Sequence, residues 1–548
     1  MTDAAPAPAA QAPAAAAQAA APAAAPAAPA IKPPRIKSFT LCDFRAFAGP
    51  EPVTFQLDGK NLLIYGENGA GKSSVFYALD EFFSVARRNP QARKERLLGL
   101  KNVFSGLPET GVRIGVEFDD GKPAADWTTI RHPVDITPTA DDRVKNAAYR
   151  KAILDYRSLL DTNYRHGDGP VNLFDVCINL LLRDFEALHD GKQRKIFDLW
   201  SELLELADVG SRDRKRLSKT EKPKVLALLP SINQGLRDAV AAVQPKIDPL
   251  LKALGWKDLD GIVLDVPGIT YKDDVTVPPL DRIQTREIGI TMNFRNQPVD
   301  RPQLFLNEAR LSALALAIYL AGRKVCAATL QADTPRLIVL DDVLIGLDQS
   351  NRLPVIDVLA DHFQDWQIIL LTHDRTWFEM ARTYQRQHNA DRFWKYMRIH
   401  SDDNPTRAPV VFSVSSSAAV DAIKTAEGFL RDGHLNAAAN YSRIAAEFGL
   451  REFCEIKKLQ TTYRQQPDKT PFSELLAAAK AHSATQNGGK FDAVLASIEE
   501  FTSMLLNPLS HGGVNSLTAH EVHRAIVEVE KLLFSLKVAP YGAKPRYS

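Results

Sequence analysis

One octapeptide near the start of the chain constrains the fold more than any other feature. Residues 66–73 match G-x-x-x-x-G-K-[ST] at every fixed position. An apolar, strand-like run, residues 61–65, precedes this octapeptide, and a helix-like run, residues 74–79, follows it. A glycine-rich turn between a strand and a helix lets successive backbone N–H groups point inward, and the helix adds its positive end. The octapeptide therefore predicts an α/β fold with a loop that binds the phosphates of a nucleotide.

The residues of this phosphate loop have separate expected roles. Lys72 is expected to reach the β- and γ-phosphates, and Ser73 to offer a hydroxyl ligand to Mg²⁺. ATP and Mg²⁺ are therefore the predicted cofactors. The alternative is a glycine-rich turn without a ligand, but the flanking strand and helix favour the nucleotide. The residues predicted to bind the nucleotide here are Gly66, Glu67, Asn68, Gly69, Ala70, Gly71, Lys72, Ser73 and Ser74.

The composition is that of an ordinary globular chain. Its 548 residues are 45% hydrophobic and 24% charged, and the length suggests several structural units. A formal net charge of +2 provides no overall basic field, so any nucleic-acid surface has to be a local patch. The four cysteines are widely spaced and form no Cys-x-x-Cys pair. This spacing argues against a zinc site or a disulfide framework and fits a reducing cytoplasm, the predicted location.

The first 35 residues are expected to form a disordered tail. Residues 4–30 consist of Ala and Pro with Gln as the only spacer, and they lack the basic start of a signal peptide. Elsewhere no apolar run approaches the roughly 18 to 20 residues that a bilayer crossing requires. The sequence therefore predicts no membrane-spanning segment.

Two apolar runs in the middle of the chain end in polar residues. Residues 337–340 are followed by Asp341 and Asp342, and residues 368–371 lead to Thr372 and His373. Ligands of α/β sheets bind at the carboxyl ends of strands. We therefore expect Asp341 to hold Mg²⁺, Asp342 to act as the base for an attacking water, and His373 to contact the γ-phosphate. Taken singly, an aspartate pair is often a turn cap and a lone histidine is often structural.

The pattern of the chain divides it into five segments. Apolar spacing of i, i+3 and i+4 in residues 142–260 predicts a helical insertion, and strand patterns flank it on both sides. A basic cluster inside the insertion, residues 212–224, is either a phosphate contact or a solvated loop. The predicted segments are a tail at 1–35, an N-terminal lobe at 36–141, the insertion at 142–260, a C-terminal lobe at 261–412 and a helical domain at 413–548.

Together these motifs resemble the ABC-type ATPase heads of SMC, RecF and related DNA-repair or phage-defence proteins. Residues 44–47, Phe-Arg-Ala-Phe, are similar to the opening turn of that family, in which Arg45 would lie near the nucleotide. Residues 306–312 stand in place of the signature L-S-G-G-Q, with Asn307 where the family has Ser. Asp348 occupies the D-loop position and His373 that of the switch histidine. The resemblance implies an α/β fold in which a P-loop ATPase head is split by the insertion and followed by an all-α domain.

The resemblance also implies how such a chain works. In that family two heads dimerise head-to-tail with ATP between the phosphate loop of one and the signature of the other. We therefore expect a homodimer gated by ATP that engages DNA or RNA, acts in repair or anti-phage defence, and has a possible partner effector protein. Asp342 is one methylene shorter than the usual glutamate, which implies slow hydrolysis. A scaffold that binds ATP without turnover is the non-enzymatic alternative.

The helical C-terminal segment carries a second, more distant resemblance. Arg443 and Glu447 are four residues apart and share a helix face, and His511 follows Asn-Pro-Leu-Ser. This arrangement resembles the HEPN-like unit of some ATPase-linked anticodon nucleases, which implies RNA cleavage by arginine and histidine. The chain would then be a nucleotide-gated toxin. The other interpretation is a partner-binding or dimerisation unit in which the Arg–Glu pair lies on the surface.

Overall fold

A computed structural model describes residues 32–128, 137–148, 152–155, 172–183, 185–209, 216–328, 330–402, 404–415, 417–462, 470–486, 488–502 and 517–537. The strands, numbered along the chain, are β1 Ile36–Cys42, β2 Val53–Gln56, β3 Asn61–Gly66, β4 Arg113–Phe118, β5 Ala125–Thr128, β6 Ala152–Asp155, β7 Glu186–His189, β8 Lys192–Lys195, β9 Leu259–Asp265, β10 Thr270–Tyr271, β11 Ile283–Gln284, β12 Gly289–Phe294, β13 Gln297–Val299, β14 Leu337–Asp341, β15 Gln367–Thr372, β16 Trp394–His400 and β17 Val410–Val414.

The helices are numbered in the same way. They are α1 Lys72–Ser84, α2 Pro90–Leu98, α3 Asp142–Ala148, α4 Phe174–Val176, α5 Ile196–Leu206, α6 Glu221–Ala253, α7 Pro302–Phe305, α8 Glu308–Ala327, α9 Gln349–His362, α10 Arg375–Gln387, α11 Ala418–Arg431, α12 Leu435–Lys457, α13 Phe472–Gln486, α14 Asp492–Phe501 and α15 Ala519–Ser535. Short 3₁₀ or π turns cover Val85–Arg87, Glu109–Gly111, Cys177–Leu181, Pro279–Arg282, Val343–Gly346 and Asp391–Phe393.

A six-stranded sheet in the order β17-β16-β3-β15-β14-β6 organises the head. The five strands from β16 to β6 run parallel, and β17 is an antiparallel edge. Both faces are buried, which is why β3, β14 and β15 read as continuous apolar runs. In β3, Leu62 and Ile64 face one hydrophobic cluster while Leu63 and Tyr65 face the other. The parallel register brings the carboxyl ends of β3, β15 and β14 to one edge.

A four-stranded antiparallel sheet, in the order β2-β1-β4-β5, covers one face of the head. Phe39, Phe55 and Ile114 from this sheet pack in one buried cluster with Val75 and Leu79 of α1. Helix α1 is therefore held between two sheets, and its first turn cannot move without disturbing both. Strands β4 and β5 of this sheet pair antiparallel, with Ile114 opposite Trp127.

The insertion differs from the prediction in two respects. Strand β6 pairs in parallel with β14, with Ile153 opposite Val339, so the main sheet continues past the expected boundary at residue 141. The insertion is also not purely helical, because β7 and β8 form an antiparallel hairpin within it. Its helices share one hydrophobic cluster with the head, including Leu236 of α6 and Leu316 of α8. Both strands of the hairpin and β6 are four residues long, too short to show period-two alternation against the surrounding helical pattern.

The described part of the segment after β17 is helical, from α11 to α15, and has its own hydrophobic cluster. Strand β17 ends at Val414, so the last strand of the head passes the expected boundary at residue 412. Helices α12 and α15 approach closely at Gly449, where an added Cβ would collide with Leu533.

Some expectations fall on residues outside the described ranges. They include the Ala/Pro tail up to residue 31, residues 212–215 of the basic cluster, and His511. Among the helices that the structure describes, none combines the length and the apolar character needed to cross a membrane.

Candidate nucleotide site

The phosphate loop connects β3 directly to α1. Gly69 and Gly71 have φ angles of 85° and 105°, values that L side chains rarely adopt. At Gly66 an added Cβ would lie 3.0 Å from the carbonyl oxygen of Ile399 on the neighbouring strand. The glycines of the motif are therefore required by backbone conformation and by close packing, as the sequence predicted for a loop that wraps a ligand.

Lys72 is folded over the loop that precedes it. Its Nζ donates to the carbonyl oxygens of Gly66 at 2.7 Å and Glu67 at 3.1 Å. Burial lowers the pKa of Lys72, and the nearby carboxylates of Asp342 and Asp341 oppose that shift. The ammonium is thus fixed at the mouth of the loop, between loop carbonyls and an acidic strand end.

Ser73 and Asp341 meet although 268 residues separate them in the sequence. The Ser73 hydroxyl donates to Asp341 Oδ2 at 3.0 Å. The contact follows from topology, since β3 and β14 both pair in parallel with β15 and end at the same edge. A hydroxyl and a carboxylate are the oxygen ligands that Mg²⁺ prefers. Among the described residues, no group of three or more His, Cys, Asp or Glu is arranged to hold a metal ion.

Asp342 and His373 form a second pair at the same edge. Asp342 has a left-handed backbone, φ 54°, and its N–H donates to the carbonyl of Leu371 at 3.0 Å. Its Oδ1 accepts from the His373 backbone N–H at 2.9 Å and lies 3.0 Å from His373 Nδ1. A non-glycine residue in this conformation is held by its surroundings and is typical of functional sites. The two predicted catalytic side chains are therefore in direct contact.

Arg45 lies on a turn that packs against the phosphate loop. Its guanidinium carbon is 4.3 Å from the ring centroid of Tyr77 on α1, and the Ala46 N–H donates to Ser74 Oγ at 3.3 Å. The Arg45 carbonyl accepts from the Asn102 side chain at 2.5 Å. Arg45 is thus next to α1, and its expected place near the nucleotide stays a prediction.

Asn307 and Asp348 occupy the exposed starts of two helices. Asn307 caps α8, and its side chain accepts from the Arg310 N–H at 3.1 Å. Asp348 is at the N-cap position of α9. The loop before Asp348 touches α8, because a Cβ on Gly346 would be 2.5 Å from Ser312 Oγ. A nucleotide-binding role for Asn307 and Asp348 stays a prediction.

Two residues of the site were missed by sequence reasoning. Arg352 donates through Nε to Leu347 O at 2.9 Å, through Nη2 to Ile345 O at 3.3 Å, and through Nη1 to Asp374 Oδ2 at 2.6 Å. Burial alone would raise the pKa of Asp374, but the Trp377 amide and the Arg352 guanidinium outweigh burial and hold that pKa below its usual value. The available sequence signal was an arginine four residues after Asp348, which places Arg352 about one helical turn beyond the N-cap of α9.

Helix α10 joins this site to the C-terminal helices. It starts directly after His373 and Asp374, and Arg386 in its last turn pairs with Glu452 of α12 at 2.9 Å. Glu452 also accepts from the Ser417 hydroxyl at 2.8 Å and the Ala418 N–H at 3.0 Å. Burial raises the pKa of Glu452, although Arg386 and these donors act in the opposite direction.

The candidate nuclease residues are only partly described. The Glu447 carboxylate accepts from Arg451 Nη2 at 2.8 Å; Arg451 lies one turn after Glu447 on α12, and Arg443 lies one turn before it. Arg443 is half-buried on the same helix, and His511 lies outside the described residues. The nuclease site therefore stays a prediction.

A strand, a glycine-rich loop and a helix, with a distant aspartate held against the loop serine, fit a P-loop ATPase fold. Residues 38–143 match the model of the family described as AAA domain. No curated protein sequence matches the chain significantly.

Several solved structures are similar to this chain at low identity. The Smc head bound to the C-winged helix domain of ScpA is 15% identical, with 71% of this chain and all of that chain covered and a TM-score of 0.37. The recombination mediator protein RecF with ATPrS is 12% identical, with 70% and 100% covered and a TM-score of 0.43. The SMC head domain from Thermotoga maritima is 14% identical, with 70% and 99% covered and a TM-score of 0.32.

Proposed function

We propose that this chain is an ATP-binding and ATP-hydrolysing enzyme of the SMC/RecF-like class. The observation that carries the proposal is the hydrogen bond between Ser73 and Asp341, 3.0 Å long. It joins a glycine-rich loop to the carboxylate at the end of β14, the combination that holds a nucleotide and its Mg²⁺ in P-loop enzymes. Lys72, whose Nζ donates to the carbonyls of Gly66 and Glu67, would bind the terminal phosphates.

The groups around this pair support hydrolysis. Bound Mg²⁺ would neutralise charge on the phosphates, with Ser73 and Asp341 as its protein ligands. Asp342, oriented by the His373 backbone N–H, is the base that would accept a proton from the attacking water. The His373 imidazole, about one-third exposed at the same edge, would contact the γ-phosphate.

The proposed enzyme works as a homodimer that ATP holds together. The start of α8 is exposed and carries Asn307, and the start of α9 is exposed and carries Asp348. A helix N-terminus attracts negative charge, so α8 of one copy would bind the γ-phosphate held by the other. Hydrolysis removes that attraction and reopens the dimer.

The wider role is proposed on the resemblance to repair and defence ATPases. The ATP-gated dimer would engage DNA or RNA in the cytoplasm, in DNA repair or in anti-phage defence, and a partner effector protein is possible in that setting. Because the net charge is only +2, nucleic-acid binding would depend on a local basic surface and weaken steeply with salt.

ATP binding and phosphate release by wild type, Lys72→Ala and Lys395→Ala test the proposal. Lys395 is the matched control, since it pairs with Asp58 at 2.7 Å near the amino end of β16, at the opposite edge of the sheet. We expect Lys72→Ala to lose ATP binding and turnover, and Lys395→Ala to keep both. Wild type without ATP binding, or Lys72→Ala with unchanged turnover, would refute the proposal.

A nucleotide-gated toxin is the second candidate, and the contact of α10 with the C-terminal helices favours it. Helix α10 runs from the proposed γ-phosphate contact to Glu452, so the helical unit is physically joined to the ATP site. In this version Arg443 and His511 would cleave RNA and Glu447 would support them. RNA integrity and growth on expression test this version: RNA loss and toxicity that disappear in His511→Ala support it, and toxicity that survives His511→Ala excludes it.

A further inference from the structure

We infer that Arg352 is a positioning residue that locks the loop carrying Asp348 to the loop carrying His373. The inference rests on the proposed ATPase function and adds a residue to its machinery. Arg352 lies outside the motifs identified in the sequence, and the proposed function assigns it no role.

The guanidinium of Arg352 binds both loops at once. Two of its nitrogens hold the carbonyls of Ile345 and Leu347, just before Asp348, and the third holds the Asp374 carboxylate, just after His373. The side chain is 12% exposed, so water competes weakly for these donors. A planar fork with fixed donors suits three such acceptors, whereas an ammonium is a single point charge.

Both loops also surround Asp342. The 3₁₀ turn Val343–Gly346 follows Asp342 directly, and the His373 N–H donates to the Asp342 carboxylate. Arg352 therefore completes a closed set of contacts: it binds the turn that follows Asp342 and the loop that carries His373, and His373 binds Asp342. A shift of the His373 loop would be transmitted to Asp348, which the proposed dimer presents to the second copy. Loss of Arg352 would leave ATP binding to the phosphate loop but misplace the groups used for hydrolysis.

Asp374 provides an independent way to break the same link. Its Oδ1 caps α10 by accepting from the Trp377 N–H at 3.0 Å, while its Oδ2 binds Arg352. Asparagine also caps helices, so Asp374→Asn keeps the cap and removes the charge opposite Arg352. A lysine at 352 keeps the charge opposite Asp374 but not the two carbonyl contacts.

The test measures kcat and the ATP dissociation constant for wild type, Arg352→Gln, Arg352→Lys and Asp374→Asn. Arg336→Gln is the matched control, because Arg336 pairs with Asp365 at 3.0 Å near the amino end of β14. We expect Arg352→Gln to lower kcat roughly ten- to hundredfold, the usual effect of misplacing catalytic groups, with ATP affinity within about threefold. Arg352→Lys should recover part of the loss, and Arg336→Gln should match wild type.

The double variant Arg352→Gln/Asp374→Asn decides between coupling and general destabilisation. If the two residues act as one link, the double variant is no slower than Arg352→Gln alone. Wild-type kcat in Arg352→Gln, or equal losses in Arg352→Gln and Arg336→Gln, would overturn the inference. Should Arg352→Gln fail to fold, a normal kcat in Asp374→Asn would overturn it. Absence of turnover in wild type would refute the proposed function instead.

Discussion

Arg386 and Glu452 form a buried ion pair, and we expect substitution of Arg386 to lower the free energy of unfolding more than substitution of Glu452. The two side chains are 10% and 8% exposed and 2.9 Å apart. At an effective dielectric constant of about 20, the gross Coulomb attraction at that distance is about 6 kcal/mol. Arg386→Gln removes this attraction and leaves a buried carboxylate, which costs about 3 to 5 kcal/mol. Glu452→Gln leaves Arg386 without a counter-charge but keeps an amide oxygen that can accept from Arg386, Ser417 and Ala418, so we expect it to cost less, about 1 to 2 kcal/mol.

Hydrogen–deuterium exchange of the α12 amides measures this effect, with the α1 amides as an internal standard. Arg386→Gln should speed exchange in α12 by more than about a hundredfold and leave α1 unchanged. Arg451→Gln is the control on the same helix: its pair with Glu447 is 26% and 29% exposed, so the expected cost is below about 1 kcal/mol. Equal effects of Arg386→Gln and Arg451→Gln would contradict the reasoning.

The pH dependence of the same pair has a defined sign. Burial raises the pKa of Glu452, so the folded protein binds this proton more tightly than the unfolded chain. The contribution of Glu452 to stability is then fully present below its ordinary pKa and falls as the pH rises through the raised value. Glu452→Gln lacks this titration, so its deficit in unfolding free energy relative to wild type should shrink as the pH rises across that interval. A difference that moves the other way would show that Arg386 compensates fully for burial.

Two further predictions concern surfaces and packing. Phe104 and Phe305 are 59% and 54% exposed. Phe104 follows Asn102, whose side chain donates to the Arg45 carbonyl, and Phe305 comes just before residues 306–312, so Phe104→Asp and Phe305→Asp should each weaken the proposed ATP-dependent dimer. Phe393, equally exposed near the amino end of β16, should tolerate aspartate; equal loss of dimer by light scattering in all three variants would contradict this. Gly449→Ala should destabilise the C-terminal helices by about 1 to 3 kcal/mol, whereas Gly428→Ala, with open space around it, should not. Thermal unfolding measures the stability of these two glycine variants, and equal melting temperatures for Gly449→Ala and Gly428→Ala would contradict the prediction.

Sequence reasoning found the polar residues that the structure brings to one edge of the sheet because these residues terminate strong apolar runs. Strands β14 and β15 are parallel and buried on both faces, so each appears in the sequence as a continuous apolar run. Asp341, Asp342 and His373 lie at or just after the carboxyl ends of these strands. The sequence assigned both Ser73 and Asp341 to Mg²⁺, and the structure brings these two side chains into contact. Asn307 does not follow an apolar strand, and its expected role depends on a second copy of the chain.

The parts that were missed depend on tertiary contacts rather than on periodicity. Strand β6 is four residues long and lies among helical patterns, so no window of sequence separates it from them. Arg352 and Arg386 resemble ordinary surface arginines of amphipathic helices until their acceptors are known. The distant acceptors are the Asp374 carboxylate for Arg352 and the Glu452 carboxylate for Arg386, and sequence spacing specifies neither of them.

The most direct test of the account is the molar mass of Asp342→Asn in solution, by light scattering, with and without ATP and Mg²⁺. This variant keeps the phosphate loop and the Ser73–Asp341 pair but lacks the proposed base, so it should bind ATP without consuming it. The account predicts a monomer without nucleotide and a stable dimer with ATP, which Lys72→Ala in the same background abolishes. A mass that does not change when ATP is bound would contradict the claim that ATP joins two copies of this chain.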